Sequence, residues 1–138
     1  MSELSVKKLK KAQGFVNGDS SFRHLGNIDV KMGIKVGKSL YLVSFSGFSC
    51  HEVSKISTKE VREADFVVQM SPVQWDHFIA GCRSGDGQSL VQLDEAESVV
   101  NVADPRMKLE FLRYHTSIQA FFEAYATLNY ATLKPTPA

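Results

Sequence analysis

Hydrophobic and polar positions alternate from Ile28 to Val36. Ile28, Val30, Met32, Ile34 and Val36 are apolar, and Asp29, Lys31, Gly33 and Lys35 separate them. A period of two sends successive side chains to opposite faces, so this run predicts a strand with one buried and one wetted side. Gly37-Lys38 then supplies a tight turn with glycine in its first central position. Leu40 to Phe45 is apolar on both faces, which predicts a second strand central in its sheet. Gly47 marks a further turn or bulge, and a third strand runs through "CHEVSKIS". "ADFVVQM" predicts another strand at Phe66 to Met70, and "SVVNV" the last.

The remaining apolar positions follow a helical period. Ser71-Pro72 reads as an N-cap and first helical residue. From there Trp75, Phe78 and Ile79 share one face, His77 lies on the other, and Gly81 ends the helix near Ala80. "RSGDGQS" reads as a loop. Asp104-Pro105 opens a long final helix. At about 100° per residue, Met107, Phe111, Tyr114, Ile118, Phe121, Phe122 and Tyr125 crowd one broad face, and Arg113 lies opposite beside Ala120 and Ala124. His115 falls on the margin of the apolar stripe. A short helix from Ser2 to about Phe15 is also predicted. It carries Lys7, Lys8, Lys10 and Lys11, either as a solvated basic face or as a docking patch for an anionic surface.

Strands grouped first and helices later predict an α+β fold, a mostly antiparallel five-stranded sheet with helices packed on one face. Residues 1–134 are expected to form a single domain, with 135–138 a frayed tail.

Composition narrows the function. Hydrophobic content of 43% and charged content of 22% are those of a globular chain. A net charge of +1 argues against nucleic acid, which needs a concentrated positive field. Cys50 and Cys82 are isolated, which suits a reducing compartment. "MSELSVKKLKK" has charges where a signal peptide needs an apolar run, and no stretch is long and apolar enough to span a membrane. A cytoplasmic protein is the expectation.

No strong catalytic motif is present. His24, His51, His77 and His115 form no metal-ligand spacing, so neither a metal nor a cofactor is expected. In "CHE", Cys50 and His51 point to opposite faces of a strand and do not make a nucleophile–base pair. What the pattern does offer is an apolar layer between sheet and helices. Phe45, Phe66, Phe78, Phe111, Tyr114, Ile118 and Phe122 would line a cavity there, with His115 as a polar anchor.

The segment "EADFVVQMSPVQWDHFIAG", Glu63 to Gly81, resembles the sterol carrier protein 2 family. It has that family's Ala-Asp, alternating strand, polar-Pro helix start and aromatic helix ending near Gly. The meander from Ile28 to Ser57 is similar in kind. "SVVNVADPRMKLEFLRYHTSIQAFF" stands where the family has a strand, a Gly-Asp and a final helix, with Ala103-Asp104 in place of Gly-Asp. The resemblance spans about Ile28 to Tyr125. It implies a five-stranded sheet with helices over one face, a hydrophobic tunnel, and non-enzymatic carriage of a lipid, sterol or acyl-CoA-like molecule.

Two other readings stay open. One is a small cofactor-free lyase, isomerase or hydratase for an apolar or aromatic substrate, with His115 or His51 as acid–base residue and Asp29 or Glu52 orienting it. The other is a homodimeric module that buries the final helix's aromatic face against its twin.

Overall fold

The structure of the chain, a computed structural model, describes residues 4–133, with the side chains of the last helix as far as Leu128. The expected frayed tail lies outside the described residues. In chain order the elements are α1 (Val6–Gly18), α2 (Ser20–Arg23), β1 (Val30–Val36), β2 (Ser39–Ser46), β3 (Ser49–Lys55), a 3-10 turn (Glu60–Glu63), β4 (Phe66–Met70), α3 (Pro72–Ser84), α4 (Leu90–Glu97), β5 (Val100–Asn101) and α5 (Met107–Leu133).

The five strands form one sheet in the order β3-β2-β1-β4-β5. Every pairing is antiparallel except β1 with β4, which is parallel. The predicted α+β class with a mostly antiparallel sheet is therefore present. The middle strand is β1, with β2 between it and the edge. The parallel pair follows from the connection after β3. That segment must cross the sheet to set β4 beyond β1, and residues Ile56 to Asp65 make the crossing on the outer face. Gly33 permits it, because a Cβ there would lie 3.0 Å from Val67 Cγ2 and 3.4 Å from Ala64 Cβ.

The inner face follows the alternation in the sequence. Val30, Met32 and Ile34 of β1 lie in register with Phe45, Val43 and Tyr41 of β2. Phe66 and Val68 of β4 continue the rows on the other side. All are buried. The strand begins at Val30, so Ile28 and Asp29 precede it. Asp29 accepts the Gly47 N–H (3.1 Å) and fixes the β2–β3 turn instead of sitting on a strand face. Ser44 pairs with Glu52 and Phe45 with Cys50, so His51 is an extra residue bulged out of β3.

The edge strand β3 is closed by side chains of α1. Asn17 Oδ1 accepts the Cys50 N–H at 2.7 Å, and Asn17 Nδ2 donates to the Cys50 carbonyl at 2.9 Å. Gln13 Nε2 donates to the carbonyls of Cys50 and His51, both at 3.1 Å. An amide side chain thus mimics the missing neighbouring strand and hides a pairing edge. The helix itself begins at Val6, capped by Ser5, and runs to Gly18, later at both ends than its charge pattern predicts. Lys7, Lys10 and Lys11 are exposed, as a solvated basic face requires.

Three helical features depart from expectation. Helix α3 passes Gly81 and ends at Ser84, where Gly85 takes the left-handed conformation (φ 83°) that closes its last turn. Next, the segment after the "RSGDGQS" loop, to which the pattern assigns no element, is helical: Ser89 and Gln92 form a reciprocal capping box that opens α4. Asp94 of α4 accepts the Val100 N–H (2.7 Å) and pairs with Lys108 Nζ (2.7 Å), so α4 is tied to both β5 and α5. Finally, α5 is buried over more of its circumference than one stripe. Ala124, placed on the polar side by the wheel, is 7% exposed, and Ser117 is 5% exposed. The flanking helices α1 and α3 both pack along α5 and cover them.

The bond between Asn17 and the β3 edge can be tested directly. Asn17→Ala leaves the Cys50 N–H without its side-chain partner and the Cys50 carbonyl to Gln13 alone, and should cost about 1–3 kcal/mol in a urea titration. An unchanged midpoint would mean that other contacts hold the edge.

Candidate functional site

The space between sheet and helices is a layer of aromatic rings. Phe22 of α2 stacks on Phe45 of β2, with ring centroids 6.5 Å apart. Phe45 meets Phe121 edge-on at 5.6 Å, and Phe121 meets Phe122 at 5.9 Å. Phe122 touches both Phe78 (5.5 Å) and Trp75 (5.8 Å) of α3. Trp75 in turn meets Tyr125 at 5.5 Å. A separate pair, Phe66 with Phe111, sits 5.4 Å apart between β4 and α5. The T-shaped contacts set the positive ring edge against the negative face, worth about 0.5–1.5 kcal/mol each beyond area burial. These rings meet because α5 presents Phe111, Ile118, Phe121, Phe122 and Tyr125 at i, i+3, i+4 and i+7 spacings toward the sheet, each fully buried. Burial raises the Tyr125 phenol above its ordinary pKa, and negative charge at Tyr41 and Asp76 adds to the shift. Tyr125 is accordingly a neutral hydroxyl in this layer.

Where α3 and α4 lie side by side, the layer meets solvent at a groove of about 390 Å³. Phe78 and Leu93 form its floor, and both belong to the buried core. Val73, 67% exposed, stands at its lip. Gln74, His77, Gln88 and Glu97 supply the polar rim. Gln74 is held at both ends of its amide. Its Oε1 accepts the Ser71 N–H (2.8 Å), and its Nε2 donates to Glu97 Oε1 (2.6 Å). An apolar floor with a few oriented polar groups is the usual make-up of a small-molecule site.

The residues singled out from sequence divide between three places. Phe45, Phe78 and Phe122 join the continuous run of rings, Phe66 and Phe111 form the separate pair, and Ile118 is fully buried beside them. Tyr114 is half-buried at the layer's edge, with the Arg113 guanidinium 5.3 Å above its ring. His115 is exposed and lines neither this groove nor the concavity on the outer face. His51, Asp29 and Glu52 do come together, in that open outer concavity of about 720 Å³. Asp29 is spent on Gly47 there, and no hydrogen bond joins the His51 ring to either carboxylate among the described residues. The groove residues Gln74, His77, Leu93 and Glu97 were not legible as a group. The Ser89-x-x-Gln92 cap was the signal that would have placed Leu93 and Glu97 on a helix.

No known family's sequence profile matches this chain, and no curated protein matches it. Two solved structures are similar to it in fold. The crystal structure of sterol carrier protein 2 superposes with a TM-score of 0.68 at 12% identity, covering 90% of this chain and 98% of that one. The solution structure of a conserved hypothetical protein from Thermus thermophilus, described as possibly a sterol carrier protein, gives a TM-score of 0.67 at 12% identity, covering 100% and 94%.

Neither cysteine adds a nucleophile to the layer. Burial pushes the Cys50 thiol up to about 12, and burial with the Glu123 carboxylate nearby does the same for Cys82. At pH 8 only about one thiol in ten thousand would be ionised, and the thiolate is the reactive form. Iodoacetamide at that pH should therefore leave both unmodified in the native protein and label both in denaturant. Labelling of Cys82 ahead of unfolding would contradict this.

Proposed function

We propose that this chain, which has a divergent sterol carrier protein 2-like fold, binds or carries a hydrophobic small molecule of lipid, sterol or acyl-ester type. The ligand occupies the aromatic layer between sheet and helices, against residues such as Phe78, Ile118 and Phe122. The observation that carries this reading is the continuity of the layer. An unbroken run of rings leads from Phe45 inside the fold to Phe78 on the floor of a solvent-open groove. A fold shared with a protein named as a sterol carrier supports the same conclusion.

The energetics are those of exchange. Each Å² of ligand removed from water contributes about 25 cal/mol, less the cost of ordering the ligand and of parting ring contacts. The α4 flank is where parting costs least, because α4 buries only Leu90 and Leu93. The acid–base reading has less support, since His115 is in water and His51 has no carboxylate partner among the described residues. The twin-helix reading has less still, because the aromatic face it needs is already buried within the chain.

Trp75 is the single tryptophan, and it sits within the layer. Excitation of Trp75 should therefore sensitise emission from a polyene-chain lipid, saturating at one site per chain. Absence of transfer from any alcohol-, ester- or acid-headed probe, together with a lipid-free native mass spectrum, would contradict the proposal.

A further inference from the structure

The rim of the α3–α4 groove carries one sign of charge. Glu97 is the one carboxylate among its lining residues, and neither lysine nor arginine is among them. Lys108, the cation that α4 does engage, is held by the Asp94 carboxylate at 2.7 Å and the Val100 carbonyl at 3.0 Å. It is taken up in tying the helix to its neighbours. On the rim, Gln74 fixes one oxygen of Glu97 by donating to Oε1, and Gln74 is itself fixed by the capping box of α3. The carboxylate is thereby oriented, with its second oxygen left as an acceptor. His77 and Gln88 complete the rim with side chains that hydrogen-bond.

We infer that this groove is the mouth and head-group site for the ligand, and that it selects amphiphiles with an uncharged, hydrogen-bonding head, an alcohol or an amide, over those ending in a carboxylate. The inference rests on the proposed function and adds which lipids that site takes. A hydroxyl or amide N–H donates to the oriented Glu97, and the chain runs past Phe78 into the ring layer. A carboxylate head at the same place meets a like charge with neither lysine nor arginine among the lining residues to offset it. About 390 Å³ lies at the low end of small-molecule sites, enough for a head and the start of a chain but not a whole lipid. The groove is open to water, so the repulsion is moderate, about three- to tenfold in affinity for one like-charge contact.

The test is a matched pair of probes, a polyene-chain alcohol and the acid of the same chain. Each is titrated into the full-length protein with energy transfer from Trp75 as the signal. Unequal probe solubility cancels if the acid-to-alcohol affinity ratio is compared between variants. Glu97→Gln keeps an acceptor for Gln74 and should raise that ratio about three- to tenfold, partly by weakening the alcohol, whose hydroxyl exchanges a charged acceptor for a neutral one. Glu97→Lys should raise it further, and the gain should shrink in high salt. A ratio unmoved by either substitution, in variants with native circular dichroism, overturns the mouth assignment while uptake itself keeps the proposed function. Failure of both probes to bind overturns the two together.

Discussion

One face of the sheet has to be taken out of water, and the molecule is built around meeting that demand. Val30, Met32, Ile34, Tyr41, Val43, Phe45, Phe66 and Val68 point the same way and carry no group that water would compensate apart from one phenol. A single helix stripe is narrower than five strands. The chain therefore uses α5 as the main cover and sets α1 and α3 along its flanks. This explains why α5 is buried around Ala124 and Ser117 as well as on its aromatic side. It also explains the rings. A gap between a twisted sheet and crossing helices varies in depth, and aromatic side chains fill it in edge-to-face pairs that smaller residues would leave open.

The same layer connects stability to the proposed binding. A run of rings ending at Phe78 gives a continuous apolar path, and the adjoining element, α4, adds only Leu90 and Leu93 to the core. Its other ties are polar: Gln119 Oε1 accepts the Leu90 N–H at 2.8 Å, and Asp94 bonds Val100 and Lys108. Polar ties of this kind fix position while contributing about 0.5–1.5 kcal/mol each, well below a packed aromatic. The fold thus concentrates its packing around α5 and leaves the groove side held by directional bonds.

Much of this was legible from spacing. Alternation through Ile28 to Val36 marked the buried face of β1, and the i, i+3, i+4 pattern marked the rings that α3 and α5 turn inward. Pattern could not show that β4 pairs in parallel with β1, because that depends on the crossing of residues 56–65 over the outer face. Nor could it show α4. Its two buried leucines are too few for a periodic signal, the Gly85 and Gly87 before it read as loop, and only the Ser89-x-x-Gln92 cap marks it. The groove was invisible for the same reason, since it exists only where α4 comes beside α3. His115 shows the limit of a helical wheel. A residue on the margin of a stripe is buried or exposed according to how far the neighbouring helices wrap, and here they stop short of it.

The central claim is that a hydrophobic molecule enters the ring layer and does not merely adhere to the surface. Isotope-filtered NMR of methyl-labelled protein with an unlabelled single-chain amphiphile distinguishes the two. Contacts from the bound chain to the methyls of Val68, Leu93 and Ile118 are the predicted result. Contacts confined to the exposed Val73, Leu109 and Leu112, with the interior methyls silent, would contradict it.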